Sequence, residues 1–329
     1  MIVITGGAGF IGSAIIWKLN KLGESNILVV DELGKDEKWK NLTGLNYYDF
    51  IHKDDFINQI NNRSGFGIKA IIHMGANSST TERDADHLLK NNYEYTKKLA
   101  QFSINNNVRF IYASSAATYG DGNYGFVDDE SIIQNLRPLN MYGYSKNLFD
   151  IWALKENLLN KIVGIKYFNV YGPNEFHKGD MRSVVHKAYE QILASGNVKL
   201  FKSLNPDYKD GEQMRDFVYV KDAVDMTLFF LDKKDKNGLF NVGSGKARTW
   251  NDLVSAIFKA VNKTVNIEYI DLPPHLAEKY QYLTEAKLDK IKKAGYSNSI
   301  SSLEEGVTDY VKNYLMKNKH LDFTDTIKL

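Results

Sequence analysis

The sequence predicts an α/β fold in which a doubly wound parallel sheet carries a smaller α/β lobe. Short runs rich in isoleucine and valine alternate with longer amphipathic stretches through the first half of the chain. This alternation is typical of parallel strands that helices cover on both faces. A glycine-rich segment joins the first apolar run to the first amphipathic stretch. With 329 residues, the chain is long enough for one large domain or two modest ones.

The individual elements are predicted from local composition and spacing. Five short apolar runs have the composition of buried strands, and three longer stretches have the length and spacing of helices. The strands are predicted at residues 2–5, 27–31, 70–73, 109–114 and 162–168, and the helices at residues 11–22, 85–106 and 142–159. Because strands and helices alternate, we expect a doubly wound sheet.

The second half of the chain is less regular. Residues 203–213 are polar and predict a loop that is too long to be a simple connection. Strand-like alternation resumes at residues 215–220 and a helical pattern follows at 221–231, so the chain is expected to return to the first domain. The predicted first domain is residues 1–172 and 215–242. The predicted smaller lobe is residues 173–214 and 243–329, over the carboxyl ends of the strands.

Composition excludes several classes of protein. The 42 basic and 40 acidic residues are interspersed and leave a net charge of +2, so nucleic-acid binding is not expected. The absence of cysteine excludes disulfides and thiolate sites, and the seven histidines lack zinc-ligand spacing, so we predict no metal. No apolar stretch approaches the ~18 residues of a membrane span, and no basic leader precedes the first strand. We therefore expect a cytoplasmic protein.

Three glycines at three-residue intervals, Gly6, Gly9 and Gly12, lie between the first predicted strand and the first predicted helix. This spacing permits a tight turn and close approach of the backbone to a pyrophosphate, and the helix N-terminus offers unpaired amides. Asp31 ends the second predicted strand nineteen residues after Gly12, where a carboxylate can accept a hydrogen bond from a ribose hydroxyl. The pattern predicts that the first domain binds a dinucleotide.

The sequence leaves open whether this dinucleotide carries a 2′-phosphate. Asp31 would repel such a phosphate, which favours NAD. Lys38 and Lys53 could bring positive charge to the same edge of the pocket, which would favour NADP.

Tyr142 and Lys146 are four residues apart and follow a Ser114-Ser115 pair at the end of the fourth predicted strand. An unperturbed phenol titrates at about 10, so a tyrosine that exchanges protons near neutral pH needs a partner that stabilises its anion. A lysine one helical turn further on lies on the same face and favours the phenolate. Ser115 can share the hydrogen bond of a substrate hydroxyl with Tyr142. The pattern predicts alcohol–ketone chemistry.

With these motifs in this order, the chain resembles the extended short-chain dehydrogenase/reductases, the Rossmann-like family of nucleotide-sugar epimerases and dehydratases. Residues 73–81, 112–120 and 167–179 narrow the resemblance to the ADP-glyceromanno-heptose 6-epimerases of that family. The resemblance implies oxidation of the heptosyl C6 alcohol to a ketone by tightly bound NADP+, or NAD+, and return of hydride to the opposite face. This step serves the lipopolysaccharide inner core. It also implies a homo-oligomer, a pentamer in this family.

The same resemblance implies roles for individual residues. Tyr142 would serve one face of the sugar carbon and Lys178 the other, with Ser115 and Lys146 assisting. The alternative for Lys178 is a lysine that binds substrate phosphate or lies on a surface loop. The cofactor would contact Gly6, Gly9, Phe10, Ile11, Gly12, Asp31, Glu32, Lys38, Lys53, Met74, Gly75, Ala76, Asn77, Ser78, Asn91, Lys146 and Val170. The ADP-sugar would contact Ser115, Asn169, Lys178, Asp180, Lys187, Phe201, Lys202, Ser203, Leu204, Arg215 and Tyr280.

The chain departs from that family's pattern in the substrate lobe. Asp180 and Lys187 stand where the family commonly has a serine and a histidine, and residues 201–204 also differ. A 4,6-dehydratase would need an acid and a base where this chain has Ala116 and Ala117, so dehydration is not expected. A UDP-hexose 4-epimerase and a plain reductase stay open. A dinucleotide-binding regulator without turnover would have no use for an activated phenol.

Overall fold

The computed structural model describes residues 1–62, 67–274 and 280–324. Its strands in these residues are β1 (Ile2–Thr5), β2 (Ile27–Asp31), β3 (Asp49–His52), β4 (Ala70–His73), β5 (Arg109–Ser115), β6 (Val163–Tyr167), β7 (Asn169–Tyr171), β8 (Val198–Phe201), β9 (Met214–Tyr219), β10 (Gly238–Val242), β11 (Ala247–Thr249) and β12 (Ile267–Ile270). Seven of them form one parallel sheet in the order β10-β6-β5-β4-β1-β2-β3.

The α-helices of the described residues belong partly to the main sheet and partly to the smaller lobe. They are α1 (Phe10–Lys21), α2 (Lys53–Asn62), α3 (Ala85–Leu88), α4 (Tyr95–Asn105), α5 (Met141–Lys155), α6 (Val184–Ser195), α7 (Val220–Asp232), α8 (Trp250–Ala260), α9 (Asp289–Lys293) and α10 (Leu303–Asp309). A π-helical turn, Leu89–Glu94, joins α3 to α4, and a second, Tyr310–Leu315, extends α10. Short 3₁₀ turns are Glu37–Leu42, Ala116–Tyr119, Glu130–Asn135 and Phe176–Met181. None of the helices in the described ranges has the length and apolar character of a membrane span.

The predicted doubly wound α/β fold is confirmed, and the five predicted strands are found within one residue of their expected ends. Strand β3 was not predicted because only two apolar residues form its centre and the strand lies half-exposed at the sheet edge. Helix α5 ends at Lys155, before the predicted residue 159, because Asn157 adopts a left-handed φ of 55° that a helix cannot contain.

The second half of the chain is divided between the main sheet and smaller ones. The predicted strand near residue 215 is β9, which pairs with β7 and β11 in a separate three-stranded sheet. Helix α7 packs against α1, and β10 adds the last strand of the main sheet beside β6. Residues 203–213 contain no helix or strand, as expected for the predicted loop. The division into domains at residues 172, 214 and 242 stays a prediction.

A buried ion pair fixes α5 against the main sheet. The Asp150 carboxylate accepts hydrogen bonds from Lys166 Nζ, Tyr112 Oη and Ser114 Oγ, each at 2.8 Å. Lys166 Nζ also donates to Thr118 Oγ1 at 2.6 Å. Asp150 is 0% exposed and Lys166 1% exposed, so the charges are satisfied by each other and by hydroxyls rather than by water. The network joins α5, β5, β6 and the 3₁₀ turn after β5.

We predict that Asp150→Asn lowers the free energy of unfolding by about 3–5 kcal/mol, because it leaves the buried Lys166 ammonium without its countercharge. The measurement is equilibrium denaturation in urea. Asp235→Asn is the matched control, since Asp235 pairs with Lys236 on the exposed surface and its loss is expected to leave the midpoint unchanged. A stability of Asp150→Asn equal to that of the control would contradict the assigned role of the ion pair.

Candidate active site

The turn between β1 and α1 is shaped by glycine. Gly6 has φ +65°, and a Cβ on it would lie 2.6 Å from the backbone nitrogen of Gly75, so the turn packs directly on the segment after β4. A Cβ on Gly12 would collide with the carbonyl oxygen of Gly6. Gly9 caps α1 without a side-chain hydrogen bond, which leaves the first-turn amides available to an anion. The cradle therefore fits a dinucleotide pyrophosphate.

Two carboxylates and two lysines line the pocket beyond β2. Asp31 Oδ2 accepts from the backbone nitrogen of Ala8 at 2.8 Å, and its Oδ1 accepts from Lys38 Nζ at 3.0 Å. Lys53 Nζ lies 2.5 Å from Glu32 Oε2 and lowers the pKa of that carboxyl. These side chains line a cavity of about 270 Å³, which continues the glycine turn.

Ser115, Tyr142 and Lys146 line one larger cleft of about 590 Å³ together with the glycine turn. The Asn140 side chain caps α5 by accepting from the backbone nitrogen of Gly143 at 2.8 Å. A Cβ on Gly143 would lie 2.7 Å from the carbonyl oxygen of Ala117, so the first turn of α5 sits against the turn that follows Ser115. This close packing brings the Tyr142 and Ser115 side chains together.

The Ser115 hydroxyl has two roles in the geometry. Its oxygen accepts from the backbone nitrogen of Ala117 at 3.1 Å and caps the 3₁₀ turn. The same hydroxyl also lowers the pKa of Tyr142, against the effect of burial. Ser115 therefore caps the backbone and also lies at the tyrosine, and the capping contact orients its hydroxyl.

Burial moves the pKa values of tyrosine and lysine in opposite directions. It raises the pKa of Tyr142, with Ser115 as the opposing contribution, and it lowers the pKa of Lys146 to about 8, with Asp150 as the opposing contribution. Burial outweighs the contribution of Ser115, so with the protein groups alone Tyr142 is a neutral phenol. Stabilisation of the phenolate by Lys146 together with an oxidised nicotinamide stays a prediction.

Lys178 lines the same cleft but comes from a different element than Tyr142. It lies on the 3₁₀ turn Phe176–Met181, and its Nζ is 5.3 Å from the centre of the Phe10 ring. Burial lowers its pKa and Glu175 opposes that shift. Burial also lowers the pKa of the neighbouring His177 to about 4, so this ring is neutral near pH 7. A partly buried lysine and a partly buried tyrosine therefore share one cavity.

Other residues that were expected to contact the substrate lie outside the lining of this cleft, apart from Asn169. Arg215 is buried, with its guanidinium 5.8 Å from the Trp250 ring and 5.5 Å from the Tyr280 ring. Lys202 is exposed and pairs with Asp271 at 2.9 Å. Asp180, Lys187, Phe201, Ser203 and Leu204 also lie outside it. Glu32, Lys53 and Asn91 line the smaller cavity, and the other residues expected at the cofactor line the cleft.

Some residues at the site could not be found from sequence. Asp36 and Met181 line the cleft although no motif marks them. Asn41 is 1% exposed, and its amide donates at 3.0 Å both to the carbonyl oxygen of Ala8 and to that of Asn174. It thus ties the glycine turn to the segment before Lys178. An asparagine in a polar stretch gives no sequence signal for contacts 33 and 133 residues away.

Comparisons with known proteins agree with this geometry. A sequence model described as the NAD dependent epimerase/dehydratase family matches residues 2–243. The ADP-L-glycero-D-manno-heptose-6-epimerase of Nitratidesulfovibrio vulgaris strain DP4 is 54% identical over 316 residues, which cover 96% of this chain and 98% of that one. The protein of the same name from Fusobacterium nucleatum is 50% identical over 327 residues, with 96% and 98% covered.

A solved structure shows the same fold over nearly the whole chain. The Helicobacter pylori ADP-L-glycero-D-manno-heptose-6-epimerase has a TM-score of 0.80, 30% identity, and 95% of each chain covered. The predicted Rossmann-like architecture is confirmed, and the family match supports a nicotinamide dinucleotide as the cofactor. Because both the family model and full-length relatives match, the chain belongs to the NAD dependent epimerase/dehydratase family, among its ADP-L-glycero-D-manno-heptose-6-epimerases.

Proposed function

We propose that the chain inverts C6 of the heptosyl group of ADP-D-glycero-β-D-manno-heptose to give the L-glycero epimer, for the lipopolysaccharide inner core. The observation that carries the proposal is that Tyr142 and Lys178 face one cleft from two separate elements. The two epimers present their C6 hydroxyls on opposite sides, so proton transfer is needed at both. The direct test is to incubate the purified protein with the D-glycero substrate and follow the L-glycero product by NMR.

The first half of the reaction belongs to the Tyr142 side. A nicotinamide ring, when bound, supplies a hydride acceptor and returns the hydride in the second half-reaction. Lys146 and an oxidised nicotinamide would together favour the phenolate of Tyr142, which would then take the C6 hydroxyl proton as the alcohol becomes a ketone, while Ser115 donates a hydrogen bond to the same oxygen. Lys146, one turn along α5, is placed to bond the cofactor ribose and to add positive charge beside the phenol.

The second proton transfer belongs to Lys178. As hydride returns to the other face of C6, the ammonium gives a proton to the forming alkoxide, and in the reverse direction the free amine accepts it. An ordinary lysine, with a pKa of about 10.4, is a poor base near neutral pH. Burial beside Phe10 lowers the pKa of Lys178 and so supports proton exchange.

The position of Lys178 also separates this function from its rivals. A UDP-hexose 4-epimerase needs one tyrosine because its keto-sugar turns round, and it would leave a lysine in the cleft without a role. A reductase would release its cofactor in every cycle. Retention of the dinucleotide through gel filtration, together with turnover without added cofactor, would support the epimerase over the reductase.

We further infer that the cofactor is NADP+, because Lys38 and Lys53 line the same small cavity. Lys38 offsets the negative charge of Asp31 and Lys53 offsets that of Glu32, so a 2′-phosphate would not be repelled by two unpaired carboxylates and could bind the two ammonium groups.

Arg215 is proposed for the substrate pyrophosphate, since its planar fork can donate two hydrogen bonds. By the family resemblance we also propose a cytoplasmic homo-oligomer with the pentameric assembly of that family.

Tyr142→Phe is expected to lower the epimerisation rate at least ~100-fold, because it removes the hydroxyl that moves the proton. The rate is measured by NMR with both epimers as starting material. Tyr144→Phe is the matched control: this tyrosine lies on the same helix but is 45% exposed, and its hydroxyl is expected to be dispensable. Equal rates for the two variants would remove Tyr142 from the mechanism.

Lys178→Met is expected to abolish epimerisation while the Tyr142-side half-reaction survives. The reason is that proton transfer at one face does not need the base at the other. The half-reaction is followed as disproportionation of an aldehyde analogue of the substrate. Lys187→Met serves as control, since its Nζ bonds the carbonyl oxygen of Asp180 at 3.3 Å and lies outside the cleft lining. Full epimerisation by Lys178→Met would eliminate the two-base scheme.

Lys53→Ala is expected to weaken NADP+ binding about tenfold or more and NAD+ binding little, because it removes a charged partner of the 2′-phosphate and leaves Glu32 unneutralised. Calorimetric titration of cofactor-free protein measures both dissociation constants. Lys40→Ala is the control, since this lysine pairs with Glu37 outside the cavity. Equal losses for the two cofactors in Lys53→Ala would count against the NADP+ assignment.

A further inference from the structure

We propose that Glu175 is a positioning residue for Lys178, which it holds at the cleft by fastening both ends of the turn that carries the lysine. This inference rests on the proposed function in one respect, namely that Lys178 is the second base. Glu175 itself does not line the cleft, and it would act on the substrate only through the lysine.

Glu175 holds together the two ends of the turn that carries Lys178, and its contacts with Ser183 and Lys178 are here called the clasp. Glu175 precedes the turn Phe176–Met181, and Ser183 follows it as the N-cap of α6. Glu175 Oε2 accepts from the backbone nitrogen of Ser183 and Oε1 from Ser183 Oγ, both at 2.6 Å. The carbonyl oxygen of Glu175 also accepts from the backbone nitrogen of Lys178 at 3.0 Å. One residue therefore bonds both the turn itself and the point where the chain leaves it.

Burial makes this clasp more than a surface turn. Glu175 is 1% exposed, and a carboxylate in such a place is costly unless donors satisfy it. Burial raises the pKa of Glu175, and this effect is opposed by the two donors of Ser183 and by the hydroxyl of Tyr310, from the turn after α10. Tyr310 Oη in turn contacts His186 Nδ1 at 3.1 Å on α6. The carboxylate thus joins the lysine-bearing turn to two helical segments of the core.

Charge gives the clasp its second effect. Burial lowers the pKa of Lys178 and Glu175 raises it, so the carboxylate limits how far the lysine is deprotonated. The other titratable groups near Lys178 in the cleft lining are His177, which is neutral near pH 7, and Tyr142, Lys146 and Tyr167. Asp31, Asp36 and Lys38 lie at its cofactor end. Without Glu175, the free amine should therefore appear at lower pH.

The test measures the lysine directly. Competitive labelling with trace acetic anhydride, read by mass spectrometry across pH 6–11, gives the titration midpoint of Lys178 in the holoenzyme without any need for turnover. In Glu175→Gln the amide can still accept from the Ser183 nitrogen and donate to its hydroxyl, so the shape is kept and the charge is lost. We expect the midpoint to move to lower pH by about one unit. The acid limb of the epimerisation pH profile should move in the same direction, while the Tyr142-side half-reaction should not.

Glu190→Gln is the matched control, because it removes a negative charge from the same region, where Glu190 pairs with Arg182 at 2.6 Å on the exposed face of α6. Its Lys178 midpoint should stay unchanged. Ser183→Ala keeps the charge of Glu175 but removes one arm of the clasp, and it should lower the epimerisation kcat about tenfold with the half-reaction preserved. This second variant also tests the inference if Glu175→Gln does not fold, as judged by circular dichroism.

Two results would overturn the inference: a folded Glu175→Gln with an unshifted Lys178 midpoint, or a Ser183→Ala enzyme with unchanged epimerisation. Failure of the proposed function would look different. Lys178→Met would then epimerise normally, whereas the labelling shift in Glu175→Gln would still report that the carboxylate controls the lysine.

Discussion

The ion pair between Asp150 and Lys166 is the interaction on which the arrangement of the active site depends. Ser114, which donates to Asp150, directly precedes Ser115, and Asp150 follows Lys146 by one helical turn. The register of α5 on β5 is thereby tied to the position of the Ser115 hydroxyl. A buried ion pair is weak evidence for net stability, since desolvation opposes its attraction. Its value here is geometric, because a shifted helix would leave charges unpaired in the core.

The same dry environment explains the electrostatics of the cleft. Burial raises the pKa of the Tyr142 phenol and lowers the pKa of the two lysines, so these groups, whose ordinary pKa values nearly coincide, are moved apart in proton affinity. A carboxylate limits the fall in pKa of each lysine: Asp150 opposes it at Lys146, and Glu175 opposes it at Lys178. The pKa of each lysine therefore reflects two opposing effects, its burial and the charge of one buried carboxylate.

Sequence predicts the parts of this protein that local pattern determines. The strands β1, β2 and β4 are continuous apolar runs, and the spacing of Tyr142 and Lys146 places both on one face of a helix wherever that helix lies. Contacts between polar residues that are distant in sequence follow no repeating spacing along the chain, so local pattern does not predict them. The contact of Asn41 with Asn174 and the pairing of β9 with β7 arise only when the chain is folded, and the resemblance to a family named Lys178 but not the carboxylate behind it.

The cleft is built from two halves with independent anchors. Tyr142 is held by α5 and by the ion pair within the main sheet, whereas Lys178 is held by a turn that Glu175 fastens to α6 and to Tyr310 near the end of the described chain. Asn41 links the second half to the glycine turn by way of Ala8 and Asn174. An enzyme that serves both faces of one carbon needs its two proton-transfer groups at a fixed separation. For the proposed two-base reaction, the separate anchors of Tyr142 and Lys178 would provide that separation at the cleft they share.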